Sequence, residues 1–207
     1  MKNTGKPVYS AHVIEFTAVA TEYCRYAEHS PELKGTELLM IMQRFLPLLY
    51  QKAAMLPVLE PHFEDGNEKF VTEQDWNKIH DNLKMALGSA NDYLELLDDP
   101  ASGDEGAVAA EIAEDMADIY QDMKNFVLLY QTGTEEVMND AIWECRLNFE
   151  NYWGIRLLNS LKAIHKFQAS GKDTEEADAE EKRTENENHA DWFISKRQRE
   201  FRGNDEY

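Results

Sequence analysis

Glu111, Asp115, Asp118 and Asp122 are spaced by four, three and four residues. On a helix that spacing puts four carboxylates on one face, beside the apolar stripe. Like charges one turn apart oppose helix formation by about 0.2–0.5 kcal/mol per pair, so something has to compensate them. A Lys or Arg from a neighbouring helix would do so, as would bulk solvent or a divalent cation. Magnesium and manganese take oxygen ligands, which makes these four side chains the candidate metal ligands. No other cofactor is evident. The plainer alternative is a solvated or ion-paired helix face.

The stripe also bears a resemblance to the all-α nucleoside triphosphate pyrophosphatases, which hold magnesium between ExxE and ExxD motifs on neighbouring helices. Glu95-x-x-Asp98 would serve as a degenerate first pair and Asp115-x-x-Asp118 as the second, although the usual leading double Glu is missing. Other chemistries find less support. A ferritin-like di-metal site needs Glu-x-x-His on two helices, and that pattern does not occur. There is no nucleophile elbow and no phosphate-binding glycine loop. Cys24 and Cys145 stand in apolar-periodic stretches without zinc-ligand spacing. His80 and His165 sit near apolar stripes, His62 sits in a loop that carries two prolines, and Trp76, Trp143 and Trp153 are expected as core anchors.

The elements that must position these residues read as helices. Val13, Phe16, Ala20, Tyr23 and Ala27 recur at helical steps up to Ser30-Pro31. A second helix follows Gly35, with Thr36 as its expected N-cap, a face of Leu38, Met42, Phe45 and Leu49, and a kink expected at Pro47. Residues 57–67 read as a loop. Thr72 and Asp75 form a capping-box pattern ahead of Trp76, Ile79 and Leu83. Gly88-Ser89 interrupts this segment before Tyr93, and residues 98–106 form a break. The next helix is predicted from about Ala107 to Gln131. The last runs from about Glu135 to Gln168, with Gly154 allowing a bend or a close contact. No segment alternates convincingly as a strand. The fold class is therefore all-α, an irregular bundle of about five or six helices over residues 8–170, followed by a charged tail over 171–207.

Acidity sets limits on function. The formal net charge is -19, which disfavours nucleic acid and anionic membranes as partners, because phosphate affinity comes from Lys and Arg. No apolar run reaches the length of a membrane span, and the polar start does not read as a signal peptide. Reduced, buried thiols fit the cytoplasm. The tail is acidic from Thr174 to Asn188 and then carries an aromatic and basic cassette, of which Trp192, Phe193, Lys196 and Arg199 are the candidate partner-binding residues.

Three stretches together resemble a bacterial family known only as domain of unknown function family 5063. They are Phe16 to Cys24 (FTAVATEYC), Glu114 to Lys124 (EDMADIYQDMK), and Tyr152-Trp153-Gly154 followed by Leu157 to His165 (LLNSLKAIH). The resemblance spans roughly residues 13–166 and implies an all-helical domain with no assigned activity. Histidines often flank the Trp-Gly pair in that family. Here the neighbours are Tyr152 and Arg156, a departure from histidine-based metal chemistry. The reading that follows is a non-catalytic helical interaction or accessory protein with a protein partner. The alternative is a magnesium-dependent hydrolase of a nucleotide. Deleting residues 172–207 is expected to leave the thermal midpoint within a few degrees, because a segment without an apolar stripe buries little. Loss of cooperative unfolding in a calorimetric scan of the truncated chain would show the tail to be structural.

Overall fold

The computed structural model describes residues 6–98, 105–131, 133–172 and 174. The helical periodicities fold as α1 (Ala11–Glu28), α2 (Gly35–Ala54), α3 (Glu73–Leu87), α4 (Ile112–Tyr130), α5 (Glu135–Asn148) and α6 (Gly154–Ala169). The stripes read from the sequence are largely the buried faces: Val13, Phe16, Ala20, Tyr23 and Ala27 on α1, and Leu38, Met42 and Leu49 on α2, where Phe45 is only half-buried and Leu46 is shut off from solvent. α4 is the central element. It packs against α1, α3, α5 and α6, and Ile112, Met116, Ile119 and Met123 are shut off from solvent along it. Trp153 is wholly buried, whereas Trp76 and Trp143 are half-buried. Both cysteines are buried and free, and burial pushes the Cys24 thiol up to about 12. Among the described residues no helix is long and apolar enough to cross a membrane.

The helix ends follow local chemistry. The capping box forms as predicted: the Asp75 N–H donates to Thr72 Oγ1 at 3.2 Å and the Thr72 N–H donates to Asp75 Oδ2 at 3.0 Å. α2 begins at Gly35 itself, with Lys34 rather than Thr36 ahead of it. A Cβ on Gly35 would lie 2.2 Å from the Ala86 carbonyl oxygen, so glycine lets the start of α2 approach the end of α3. Buried Thr174 packs into the same corner, beyond the boundary expected at residue 171. Pro47 lies inside α2, which stays helical on both sides of it. The long loop between α2 and α3 is pinned by two buried side chains. Asp140 accepts the N–H groups of His62 and Phe63 at 2.7 and 2.8 Å, and Asn125 Oδ1 accepts those of Phe70 and Val71 at 2.8 and 3.1 Å.

Two features depart from the sequence reading. The first is a hairpin where no strand was expected. β1 (Asp92–Asp98) pairs antiparallel with β2 (Glu105–Glu111), Asp92 opposite Glu111, so α4 starts at Ile112 and not near Ala107. The local sequences mislead, because β2 is alanine-rich and alanine favours helix most. Tertiary contacts override that preference. Asn91, buried between α3 and β1, accepts the Ala113 N–H on its side chain and the Ile112 N–H on its carbonyl, both at 2.9 Å. It thereby satisfies two buried donors at the start of α4 that have no partner within the helix, and fixes the foot of the hairpin.

The second departure is a π turn, Phe149–Trp153, between α5 and α6. The Gly154 N–H reaches the Phe149 carbonyl, and a Cβ at Gly154 would lie 2.4 Å from that oxygen. Glycine here permits the wide turn itself. The cassette residues Trp192, Phe193, Lys196 and Arg199, and residues 99–104 of the expected break, lie outside the described residues. Gly154→Ala is expected to cost about 1–3 kcal/mol through overpacking. Gly106→Ala, with nothing within 4 Å of the new methyl, should stay within about 0.5 kcal/mol. Urea unfolding of the two variants makes the comparison.

Candidate functional site

Asp115, Asp118 and Asp122 of α4 face other elements, whereas Glu114 is exposed. Asp115 is 3% exposed. Its Oδ2 accepts the Tyr93 hydroxyl from β1 at 2.6 Å and the Ser160 hydroxyl from α6 at 2.8 Å. Its Oδ1 accepts Arg156 Nη1 at 3.1 Å. Desolvation raises the Asp115 pKa against the pull of these three donors. One turn on, Asp118 accepts Trp76 Nε1 from α3 at 2.9 Å and the Tyr152 hydroxyl from the π turn at 2.6 Å. Arg156 Nη1 lies 3.2 Å from Asp118 and 3.6 Å from Glu114, and its guanidinium stacks over the Tyr152 ring at 4.8 Å. A single guanidinium therefore balances the central carboxylates, the first of the compensations the spacing called for.

Glu111 is not on that helix face. It ends β2 and immediately precedes α4, where His80 Nε2 lies 3.2 Å away and Lys84 Nζ donates at 2.8 Å, both from α3. The His80 ring stacks flat on Trp76, centroids 5.1 Å apart. Asp122, two turns below Asp115, receives one direct hydrogen bond among the described residues, from Asn148 Nδ2 on α5 at 2.6 Å. With so little compensation, burial pushes its carboxyl up to about 6. The structure thus joins Asp115 to Asp118 through Arg156 and gives Glu111 and Asp122 separate partners. Glu95 and Asp98 belong to β1, so the expected first ExxD pair stands on a strand and not on a helix. Among the described residues no group of three or more His, Cys, Asp or Glu is placed to hold a metal ion.

Tyr93, Ser160 and Asn91 were not singled out from the sequence. Ser160 did leave a signal, since it is a polar residue between Leu157 and Ile164 on an apolar stripe and a buried polar group requires a partner. Tyr93 left none, because its role depends on the hairpin. Next to the Tyr93–Asp115 contact, β1 and α6 enclose a cleft of about 440 Å³.

A family model described as "Domain of unknown function (DUF5063)" matches residues 7–170. Protein BF1032 from Bacteroides fragilis, known from a crystal structure, is similar to the chain at 36% identity. The similarity covers 78% of this chain and 95% of that one, with a TM-score of 0.71. None of the curated proteins matches.

Asp122 gives a pH test. Its carboxyl titrates higher in the folded than in the unfolded chain, so folding favours the protonated form. That contribution is fully present below about pH 4 and is lost as the pH rises through about 6. Relative to Asp122→Asn, which can still accept from Asn148, the unmodified protein should lose on the order of 2–3 kcal/mol between pH 4 and pH 7. Chemical denaturation of both proteins at the two pH values measures the difference.

Proposed function

We propose, for a chain that belongs to the family of domain of unknown function DUF5063 and takes no assigned activity from it, a non-catalytic role as a helical interaction or accessory protein. One observation carries this reading. The central carboxylates, Asp115 and Asp118, accept from Tyr93, Ser160, Arg156, Trp76 and Tyr152, so the acidic stripe works as a fastener between α3, β1, the π turn and α6. Catalysis by a metal-bound phosphate chain would need those oxygens free. The contact surface for a protein partner then falls to the C-terminal cassette, with Trp192 and Phe193 as apolar anchors and Lys196 and Arg199 as steering charges.

The competing reading is magnesium- or manganese-dependent hydrolysis of a nucleoside triphosphate. It requires a cation to displace Arg156 from Asp115 and Asp118. Thermal melts with millimolar magnesium or manganese, with and without nucleotide, separate the two. A site filled at a hundred times its dissociation constant adds about 2.7 kcal/mol, a shift of several degrees. The interaction role predicts no such shift, and the same small response in Asp118→Asn as in the unmodified chain. A rise of several degrees that Asp118→Asn abolishes would replace this reading with the metal-dependent one.

A further inference from the structure

We propose that the cleft between β1 and α6 binds a small organic anion, a flat apolar body bearing a carboxylate or a phosphate. Its volume of about 440 Å³ falls within the range of small-molecule pockets. Two kinds of wall meet there. Tyr93, Leu94, Ala163 and Phe167 supply apolar and aromatic surface, and Lys162 and Lys166 stand one turn apart on α6.

The polar groups of the lining are unequally supplied with hydrogen-bond partners. Asp92 accepts the Asn91 amide at 2.8 Å and Glu95 accepts the Asn159 amide at 2.6 Å, so both acidic groups already hold donors. Lys162 and Lys166 form no ion pair among the described residues. In contrast, Lys52, Lys69, Lys84 and Lys124 each hold a carboxylate, as befits a chain of net charge -19. Two ammonium groups four residues apart on one helix repel each other, and an anion between them removes that repulsion while gaining charge-assisted hydrogen bonds.

The aromatic wall is held in place beforehand. The Tyr93 hydroxyl donates to buried Asp115 at 2.6 Å, so the ring that lines the cleft is tethered from the far side by the same carboxylate that binds Arg156. A wall fixed in this way spares a ligand the entropy of ordering it. Two lysines in an acidic chain are too few for a nucleic acid, whose affinity rests on many phosphate contacts, and a cleft of this volume suits a compact ligand.

The test uses the full chain labelled with nitrogen-15 and four probes: 2-naphthoate, 2-naphthyl phosphate, neutral 2-naphthol and inorganic phosphate. At least one of the two aromatic anions should shift the amide resonances of residues 93–95 and 159–167, more strongly than 2-naphthol or inorganic phosphate does. The tighter of the two anions identifies the headgroup. The double variant Lys162→Gln, Lys166→Gln should bind about tenfold more weakly, with an unchanged thermal midpoint. Lys78→Gln, on the exposed face of α3, should bind as the unmodified chain does. The proposal fails if neither aromatic anion shifts these resonances at millimolar concentration, or if the shifts persist undiminished in the double variant. It also fails if a peptide of residues 175–188 shifts them where the aromatic anions do not, because the site would then belong to an acidic segment. Manganese binding at α4 bears on none of these outcomes, so the interaction role and this site stand or fall separately.

Discussion

Two carboxylates one turn apart on a buried helix face repel each other, and each loses its water when the neighbouring elements close over it. The end of this bundle closes because Arg156 reaches both. Its guanidinium lies within 3.2 Å of Asp115 and Asp118, and the remaining oxygen positions take hydroxyl and indole donors from three further places in the chain. Breaking such a pair by removing one partner is far more damaging than replacing the whole group, because a lone buried charge is left behind. The arrangement therefore favours one packing of α3, β1, α4 and α6 over its near neighbours. A shift of α6 along α4 would strand Asp115 first.

The hairpin depends on the same constraint from the other side. Nothing in the composition of β1 or β2 demands a strand. The hairpin is held at its foot by Asn91, which closes off the start of α4, and two residues further on by Tyr93, whose hydroxyl ends on Asp115. Both anchors are polar, buried or half-buried, and aimed at α4. The small sheet is thus an attachment to a helical core, and its placement decides where the cleft opens.

What could be read from the sequence divides along this line. The helix stripes were legible because burial on one face of a helix repeats every three to four residues, and α1 buries the residues so picked out, as α2 does with Leu38, Met42 and Leu49. The Thr72–Asp75 capping box was legible because it is a local exchange of hydrogen bonds. The stretch that begins with Tyr152-Trp153-Gly154 was legible as a family resemblance, but its physical meaning was not. Tyr152 and Arg156 matter through Asp118, which lies more than thirty residues earlier and is met only in the fold. The strands were hidden by their helix-favouring residues, and with them went Tyr93 and the cleft. Reading Glu111 as a fourth member of the stripe followed from extending α4 one turn too far.

The π turn between α5 and α6 has a consequence for how this family can change length. Each residue of an α-helix advances the direction of its side chains by about 100°. The wide turn at Phe149–Trp153 holds one residue more than an ordinary turn would, and everything beyond it is phased accordingly. A deletion of one residue there would leave an unbroken, locally more regular helix. It would also swing Arg156 and Ser160 about a quarter-turn away from α4 and carry Leu157 and Ile164 out of the core with them. The irregular geometry at this point is the phasing device that lets one long rod serve two faces. A relative without it would have to hold its α4 carboxylates by different means.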